Sequence, residues 1–347
     1  MTAQVPSSGG ARLRVGLAGL GSMGRNHLRN LIARDDITLA AISDPDEGCR
    51  AQAAGHTPAR LFADPLDMLA GIPLDALVIA APTTLHHPIA RAAIDRGVAV
   101  LVEKPLAATV AEGRELVQAA EAKGVVLQAG HIERFNPAVV ELGRRLRDGA
   151  LSRIYSVKTL RAGPFPARIR DVGVAVDLAT HDVDIICHLV GERPELVYAE
   201  TTRHVHTSHE DLVFGLLHFP GGAVGLLDVN WLTPEKQRSI TVLGKEGMFR
   251  VDYLAQSLTF TRGAADLAPT YLDGYTPTFA GETASLPVTP AEPLRLELDA
   301  FFAAVRSGGP GAITGAEGLW AVALANQLLE SAAAHAPVAV RAPEVSD

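Results

Sequence analysis

The sequence contains 347 residues, of which 48% are hydrophobic and 20% charged, and it carries a formal net charge of −8. This length is sufficient for two domains with full hydrophobic cores. The negative charge disfavours a nucleic-acid partner, because phosphate binding depends on clustered lysines and arginines. The two cysteines, Cys49 and Cys187, form no CxxC motif, and no apolar run reaches the roughly 18 to 20 residues of a membrane span. We therefore expect a reduced cytoplasmic protein without a membrane partner.

In chain order, residues 1–12 are predicted to form a disordered lead, and residues 13–130 alternate strands with helices. The pattern begins with the strand LRVGLAGL, the helical segment GSMGRNHLRNLIAR and the strand ITLAAISD. It continues through the strands DALVIAAP, VAVLVEKP and VVLQAGH, which are separated by two further helical segments. Such alternation predicts an α/β domain with a parallel sheet and right-handed crossovers.

Residues 131–347 show a different pattern. Helical sequence is predicted in NPAVVELGRRLRDG and VAVDLATHDVDIICHLVG, and short strands with tight turns then run from LVYAETTRHVHT to MFRVDY. Two late helices follow a loop that is predicted over residues 270–293. Because repeated strands with short turns are typical of antiparallel sheets, we expect a second, α+β domain with an open, largely antiparallel sheet.

A glycine motif, GxGxxG, lies between the first strand and the first helix. In this context the first glycine permits a tight turn, the second lets the main chain approach a pyrophosphate, and the third lets the helix pack close to the strand. The N-terminus of the helix supplies N–H donors. The expected cofactor contacts are Gly19, Gly21, Ser22, Met23 and Gly24. The motif predicts that residues 13–130 form a dinucleotide-binding Rossmann domain, with a plain strand–helix turn as the alternative.

Asp44 lies at the end of the second strand, 20 positions after Gly24. A carboxylate at this place can accept hydrogen bonds from both ribose hydroxyls of NAD, and it would repel the 2′-phosphate of NADP. No arginine follows immediately to offset that repulsion. We therefore predict NAD as the cofactor in preference to NADP. The alternative is a turn aspartate, which the following proline makes credible.

The next two strand ends carry further candidate cofactor contacts, since ligands of open α/β sheets lie at the carboxyl ends of the strands. The first set follows the strand DALVIAAP, where Thr83 or His86 is placed to contact the nicotinamide half, although a helix-capping threonine and a surface histidine explain them equally well. These candidates are Ala81, Pro82, Thr83 and His86.

The second set is the stretch LVEKP, which places Glu103 and Lys104 at the end of a strand that Pro105 terminates. A lysine that is partly desolvated beside the nicotinamide cation would exchange a proton near neutral pH. From its position alone, Lys104 is explained equally well as a proton carrier and as a solvated residue at the end of a strand.

Asp177 and His181 are spaced i and i+4, which places them on one face of the predicted helix. A histidine oriented by an acid is a reasonable general base, and the carboxylate is alternatively a ligand for a substrate hydroxyl. A metal site with Asp184 and an ordinary surface pair are the other interpretations. We predict no metal, because hydride chemistry with NAD requires none and no further ligands cluster nearby.

Three histidines in RHVHTSHED resemble metal ligands at first. On a strand, His204 and His206 would share a face that His209 does not. We interpret them as part of a polar sheet face or a subunit contact.

Together, RVGLAGLGSMGRNHLRNL, PTTLHH, VEKPLA and DLATHDVD resemble the glucose–fructose oxidoreductase/inositol dehydrogenase (Gfo/Idh/MocA) family, in order along nearly the whole chain. The resemblance implies a Rossmann domain over residues 13–130 and a substrate-binding and oligomerisation domain over residues 131–347. It implies homodimers or homotetramers that form through the second sheet. It also implies that Lys104, Asp177 and His181 are the catalytic residues beside the nicotinamide.

The segments GHIERFNPAV and RAGPFPARIRDVGVAVDLATHDVDI look like the branch that contains UDP-N-acetylglucosamine 3-dehydrogenases. If they line the sugar pocket, four side chains become candidates for the pyrophosphate and the sugar hydroxyls, in addition to Asp177 and His181, because arginine suits bidentate phosphate contacts. These candidates are Arg134, Asn136, Arg161 and Arg168.

The resemblance implies NAD-dependent oxidation of a secondary hydroxyl, and its narrower part implies the C3 hydroxyl of UDP-N-acetylglucosamine as the target. His181, or Lys104 through a hydroxyl relay, would remove the alcohol proton, and the other residue would stabilise the developing oxyanion. The alternatives are an inositol or free-sugar dehydrogenase, a nucleotide-sugar 3-ketoreductase, and a non-catalytic NAD-bound sensor on the same fold.

Overall fold

The computed structural model describes residues 12–166, 172–206, 208–263 and 281–343. These residues form two sheets, one of six strands and one of nine, with helices packed on them. Most of the predicted lead, part of the predicted loop over residues 270–293 and the candidate Arg168 lie outside the described residues. No helix in the described ranges is both long and apolar enough to cross a membrane.

The first sheet is fully parallel, with the strand order β3-β2-β1-β4-β5-β6. This order is that of a Rossmann domain, as predicted. Its strands are β1 (Leu13–Ala18), β2 (Ile37–Ser43), β3 (Arg60–Phe62), β4 (Ala76–Ile79), β5 (Ala99–Glu103) and β6 (Leu127–Gly130). Its crossover helices are α1 (Ser22–Ile32), α2 (Glu47–Ala54), α3 (Pro65–Gly71), α4 (His86–Asp95) and α5 (Val110–Lys123).

Burial explains why these strands occupy the centre of the domain. Every residue of β4 and β5 is buried, because helices cover both faces of a parallel sheet. The last helix of the unit, α5, begins at a capping box in which the Thr109 side chain accepts a hydrogen bond from Glu112 N and Glu112 accepts one from Thr109 N. The order of the strands then places the carboxyl ends of β1, β4 and β5 along one edge of the sheet.

The second sheet has the order β14-β13-β12-β11-β7-β10-β9-β8-β15, in which only the β7–β10 pair is parallel. Burial alternates along strands such as β9 and β12, which agrees with one face on the core and one face open. The elements are α6 (Pro137–Arg147), β7 (Ile154–Pro164), a π-helical turn (Ala175–Ala179), α7 (Thr180–Val190), β8 (Leu196–Thr202), β9 (Leu212–His218), β10 (Val224–Asn230), β11 (Leu232–Gly244), β12 (Gly247–Asp252), β13 (Ser257–Arg262), β14 (Thr283–Leu286) and β15 (Val338–Ala339).

The two late helices, α8 (Pro293–Ser307) and α9 (Gly315–Ala334), return to the first domain. Phe301 and Phe302 of α8 belong to the core that includes β1 and α1. Helix α9 contributes Leu319 to the core around α5 and Leu328 to the core of the second sheet. The structure therefore differs from the predicted division at residue 130, because the Rossmann domain is completed by helices from the other end of the chain.

The predicted polar sheet face at the three histidines is wrong. His206 and His209 lie in the loop between β8 and β9, and the His206 ring is buried against Trp231, with their ring centroids 6.1 Å apart. Among the described residues, no group of three or more histidine, cysteine or acidic side chains is arranged to hold a metal ion.

A buried carboxyl group on α8 is expected to make stability depend on pH. Glu297 is 0% exposed, and neither carboxyl oxygen has a hydrogen-bond partner among the described residues. Burial, and then the neighbouring Glu103 carboxylate, raise the pKa of Glu297 well above its ordinary value. The folded protein therefore keeps a proton that the unfolded chain releases above about pH 4.5, so this group lowers stability as the pH rises.

We expect the substitution Glu297→Gln, which mimics the protonated acid, to stabilise the protein increasingly with pH. The gain in the free energy of unfolding should grow by up to about 1.4 kcal/mol per pH unit above pH 4.5. Urea unfolding between pH 5 and 8 measures this gain, with the exposed Glu121→Gln on α5 as the control. A difference between variant and wild type that stays constant over this range would contradict a buried neutral acid.

Candidate active site

The loop after β5 and the π-helical turn before α7 meet at the centre of the candidate site. Lys104 Nζ donates hydrogen bonds to the carbonyl oxygen of Asp177 at 2.5 Å and to Asp177 Oδ1 at 2.7 Å. Both side chains are mostly shielded from solvent but not fully buried. The structure thus brings together two residues that lie 73 positions apart in the sequence.

Glu103, which precedes this lysine, is held on the inner side of the sheet. Its Oε1 atom lies 2.7 Å from His27 Nε2 on α1, and its Oε2 atom accepts a hydrogen bond from Lys104 N at 3.3 Å. Both Glu103 and His27 are buried. Glu103 thus ties the lysine loop to the first helix, and its contact with the cofactor stays a prediction.

His181 lies on α7 and is nearly fully buried. The predicted Asp177–His181 pair is not formed, because the π-helical turn carries Asp177 towards Lys104 and no hydrogen bond joins the acid to the histidine in the described structure. His181 Nδ1 has no hydrogen-bond partner among the described residues, and the ring packs edge-on against His131 with their centroids 6.4 Å apart. The helical spacing therefore placed the two residues on consecutive elements without making them a hydrogen-bonded dyad.

The electrostatic surroundings of His181 keep its imidazole neutral. Burial lowers the pKa of His181 well below its ordinary value, and the positive charges of Lys104 and Arg161 lower it further. A neutral imidazole has a free lone pair on one ring nitrogen and can accept a proton. The site therefore places the Lys104 side chain close enough to a neutral His181 imidazole to affect its charge.

The three glycines of the GxGxxG motif have different steric reasons to be glycine. Gly19 has a φ of +98°, and a Cβ atom there would lie 2.5 Å from the carbonyl oxygen of Ala80. A Cβ atom at Gly24 would lie 2.1 Å from the carbonyl oxygen of Gly19, so helix and loop are in direct contact. At Gly21, in contrast, a Cβ atom would meet nothing within 4 Å. The main chain at Gly21 thus borders open space.

Asp44 supports this glycine loop from the neighbouring strand end. Its Oδ2 atom accepts a hydrogen bond from Leu20 N at 2.6 Å, and its Oδ1 atom accepts one from Asp46 N at 2.9 Å. The next arginine, Arg50, donates to the carbonyl oxygens of Asp44 and Pro45. Because each carboxylate oxygen has a second lone pair, the group can still accept hydrogen bonds from a ribose.

His86 does not face the cofactor side of its loop. Its ring is buried, with Nδ1 2.8 Å from the carbonyl oxygen of Pro105 and Nε2 2.9 Å from that of Ala81. The prediction of a nicotinamide contact is therefore corrected, since both ring nitrogens already join the loop after β4 to the loop after β5. Pro82 and Thr83 remain accessible at the same strand end.

The predicted phosphate ligands are engaged elsewhere. Arg134 forms hydrogen bonds with both carboxylate oxygens of Asp184, at 2.5 and 2.8 Å, and with Glu317 at 2.6 Å. Asn136 caps α6 by accepting a hydrogen bond from Ala138 N, and its side chain also donates to the carbonyl oxygen of Tyr253 at 3.1 Å. These contacts hold α6, α7 and α9 together. Because Arg134 and Asn136 are engaged in them, we do not assign either side chain as a substrate ligand.

Arg161 requires the same correction. It is 1% exposed and forms ion pairs with Asp182 at 2.8 Å and with Glu133 at 2.7 Å. A guanidinium that is buried and doubly paired cannot meet a ligand without breaking those pairs, which is costly. Asp182 and Glu133 lie on other elements of the fold, so the residues next to Arg161 in the sequence do not indicate these ion pairs.

Comparison with known proteins identifies the family. Residues 13–131 match the model described as "Oxidoreductase family, NAD-binding Rossmann fold". Residues 139–250 match the model of the GFO/IDH/MocA C-terminal domain. The two matches follow each other along the chain and together span more than half of it. The chain belongs to the Gfo/Idh/MocA oxidoreductase family. The family resemblance found in the sequence is thus confirmed.

Several Gfo/Idh/MocA relatives resemble the chain over most of their length. UDP-N-acetylglucosamine 3-dehydrogenase from Acidithiobacillus ferrooxidans is 30% identical over 253 residues, which cover 73% of this chain and 78% of the relative. Its solved structure has a TM-score of 0.81 at 26% identity, covering 93% of this chain and 98% of its own. Myo-inositol 2-dehydrogenase from Thermotoga maritima is 24% identical over 324 residues, 90% of this chain and 94% of the relative.

The fold is also shared with levoglucosan dehydrogenase in complex with NADH and L-sorbose. That structure has a TM-score of 0.83 at 23% identity and covers 96% of this chain and 100% of its own. As a Gfo/Idh/MocA protein, the chain is an NAD-dependent oxidoreductase, and the relatives named here are dehydrogenases of sugar or polyol compounds. The predicted enzyme class and cofactor are confirmed.

The glycine loop of this Gfo/Idh/MocA protein fits its cofactor. The open space at Gly21 adjoins the N-terminus of α1, whose first N–H groups have no side-chain cap. Free N–H donors at a helix N-terminus bind phosphate groups. Gly21, Ser22 and Met23 would therefore hold the pyrophosphate of NAD, and Asp44 would hold the adenosine ribose.

Two side chains near the site were missed by the sequence analysis. His131 follows the last residue of β6, so the rule that ligands lie at strand ends would have found it had it been applied to that strand. Arg238 lies on β11 directly opposite Arg161 of β7. The signal for Arg238 was the alternation of Lys236 and Arg238 in PEKQRS, which places both on one face of a strand.

Proposed function

We propose that this protein oxidises a secondary hydroxyl of a nucleotide sugar with NAD, and that the substrate is UDP-N-acetylglucosamine, whose C3 hydroxyl becomes a ketone. The observation that carries the proposal is the similarity to UDP-N-acetylglucosamine 3-dehydrogenase, whose structure aligns over 93% of this chain with 26% identity. The arrangement of Lys104, Asp177 and His181 supports it, because it combines a proton acceptor with a donor for an alcohol oxygen.

The proposed chemistry assigns His181 as the general base. Because burial and nearby cations hold its pKa down, the imidazole is neutral at physiological pH and can take the hydroxyl proton. When bound, NAD would supply the acceptor for the hydride that leaves the carbon bearing this hydroxyl. The His131 ring packs edge-on against the His181 ring.

Lys104 would stabilise the oxygen from which the proton departs. An ammonium group has three N–H donors, of which two are used by the carbonyl and carboxylate oxygens of Asp177. The third is available to the substrate oxygen, where negative charge develops as the proton leaves. Asp177 is thus a positioning residue that orients Lys104, and it also offers its second carboxylate oxygen to a sugar hydroxyl.

A second candidate function is the oxidation of an inositol or a free sugar. The similarity to myo-inositol 2-dehydrogenase over 90% of this chain favours it. The same residues would also serve a 3-ketoreductase, because the proton donor and acceptor exchange roles when a reaction runs backwards. Substrate preference and equilibrium direction separate these possibilities.

We also propose self-association through the open face of the second sheet and a cytoplasmic location. Apolar side chains stand out on that face, including Phe214, which is 50% exposed, and Leu243. Exposed apolar side chains grouped on one face often mark an interaction surface. The substitution Phe214→Glu should therefore shift a dimer or tetramer towards monomer in light scattering. Cys49 and Cys187 are free thiols, as a reducing compartment requires.

A substrate panel tests the proposed function. We expect NADH to form from UDP-N-acetylglucosamine, with the ketone at C3 by NMR of the product, and to form far more slowly from myo-inositol, free N-acetylglucosamine and levoglucosan. A preference for myo-inositol would support the second candidate. Formation of a ketone at another carbon of the sugar would contradict the assigned regiochemistry while leaving the substrate class intact.

A further inference from the structure

Strand β11 brings two cations to the pocket that were not among the predicted ligands. Arg238 lies directly opposite Arg161 in the antiparallel β7–β11 ladder, so their side chains share one face of the sheet. Arg161 contacts Asp182 of α7 at 2.8 Å, which shows that this face is the one covered by α7. Lys236 precedes Arg238 by two positions and carries its charge towards the same face at the rim.

The carboxylates on this face do not satisfy these cations. Glu133 Oε1 lies 2.7 Å from Arg161 Nη1 but 3.4 Å from Arg238 Nη1, so the nearer arginine takes the better contact. Asp182 is paired with Arg161 as well. Among the described residues, Lys236 forms no ion pair. Among the described residues, two carboxylates therefore form the ion pairs of a face that holds three cations, and the ion pair of Arg238 is the longest of them.

The remaining positive charge reaches the catalytic pocket. Burial and the charge of Arg161 lower the pKa of Arg238, which is the response of a cation that lacks a full counter-charge. Arg238 in turn is one of the cations that lower the pKa of His181. A site with excess positive charge beside the catalytic histidine favours a substrate that carries a negative group nearby.

Accessibility separates Arg238 from the other arginines of this region. Its side chain is 28% exposed, whereas that of Arg161 is 1% exposed and that of Arg134 is 7% exposed. A planar guanidinium with several unused N–H donors suits an oxyanion, which it binds in a bidentate manner. If Arg238 served only to neutralise Glu133, its contact would be expected to be at least as short as that of Arg161.

We propose that Arg238, assisted by Lys236 at the rim, binds an oxyanion of the substrate: a phosphate of a nucleoside diphosphate or the carboxylate of a sugar acid. The inference rests on the proposed function in placing the sugar against His181, and it adds the residues that hold the charged part of the substrate. It assigns to β11 the role that the sequence had suggested for Arg134 and Arg161.

Steady-state kinetics of Arg238→Gln and Lys236→Gln test the assignment. We expect KM for the anionic substrate to rise about tenfold to a hundredfold in Arg238→Gln, as for loss of a hydrogen bond to a charged group, and less in Lys236→Gln. The kcat should change little, and KM for a neutral polyol should not change. Assays at pH 8 keep His181 neutral in every variant. The exposed Lys245→Gln, in the turn after β11, removes one charge from the same hairpin as the control.

The substrate arms distinguish the two sources of the oxyanion. UDP-N-acetylglucosamine tests the phosphate, N-acetylglucosaminuronate tests the carboxylate, and myo-inositol is the neutral reference. An Arg238-dependent KM for a sugar acid, with UDP-N-acetylglucosamine unreactive, would support this inference and reject the nucleotide sugar. Turnover of UDP-N-acetylglucosamine with KM unaffected in both variants would overturn the inference and leave the proposed function standing.

Stability does not limit the test. Arg238→Lys keeps the positive charge near Glu133 but loses the bidentate fork, so we expect a KM between those of the wild type and Arg238→Gln. If Arg238→Gln proves unstable by thermal unfolding, Arg238→Lys and the exposed Lys236→Gln decide the result. Wild-type KM in both of these variants would overturn the proposal.

Discussion

The substitution Lys104→Met should lower kcat by about 10²- to 10³-fold while NADH binding stays intact. In the proposed mechanism the lysine donates its remaining N–H to the oxygen on which charge develops, and removal of one such donor typically has this effect. The change also removes a cation that lowers the pKa of His181. We therefore expect the acid limb of the kcat/KM profile to move to higher pH, because His181 then becomes protonated at a higher pH.

This shift in the pH profile separates the two possible bases. If Lys104 itself removed the proton, the acid limb of the kcat/KM profile would report the titration of Lys104. In Lys104→Met that limb would disappear and would not move to higher pH. The exposed Lys123→Met, at the end of α5, is the matched control and should retain wild-type turnover. Near-normal kcat in Lys104→Met with UDP-N-acetylglucosamine or the best substrate would reject the role of Lys104.

The substitution Gly21→Val should weaken NADH binding at least about tenfold, which corresponds to about 1.4 kcal/mol, without unfolding the protein. A Cβ atom at Gly21 meets no protein atom within 4 Å, so the folded chain has room for the new side chain. The same space is where the pyrophosphate would approach the main chain. Fluorescence titration with NADH measures the loss, and thermal unfolding without cofactor measures the fold.

Gly24→Ala is the matched comparison, in which we expect a loss of stability and not primarily a loss of NADH binding. Its added methyl group would lie 2.1 Å from the carbonyl oxygen of Gly19, so we expect lower thermal stability even without NADH. The pair thus separates a glycine required by the cofactor from one required by packing. Unchanged NADH affinity in Gly21→Val would contradict the placement of the cofactor over this loop.

The phosphate ligands show where inference from residue type fails. Arginine in a segment near a predicted pocket suggested phosphate binding, yet Arg134 pairs with Asp184 and Glu317, which are 50 and 183 positions away. Ion-pair partners at such separations leave no local pattern, because nothing in the neighbouring residues indicates which carboxylate will be opposite. Arg238, which solvent reaches, lies on β11. The sequence did not show that β11 pairs with β7 and places Arg238 opposite Arg161.

The sequence by itself determined the Rossmann domain, the glycine loop, the family and the enzyme class. These features depend on short-range order: a strand, a glycine turn and a helix are continuous in the chain, and their periodicities and spacing can be read directly. The position of Lys104 at a strand end also followed from the pattern of β5 alone, since strand ends of a parallel sheet share one edge.

Tertiary structure alone decided which groups meet at that edge. It paired Lys104 with Asp177 instead of leaving the acid to His181, because a π-helical turn replaces regular helix there. It turned His86 and Glu103 inward and added α8 and α9 to the first domain. Contacts between distant segments depend on how whole elements pack, which local spacing does not encode. LVEKP therefore marks the candidate site, and the fold brings Asp177 to its lysine.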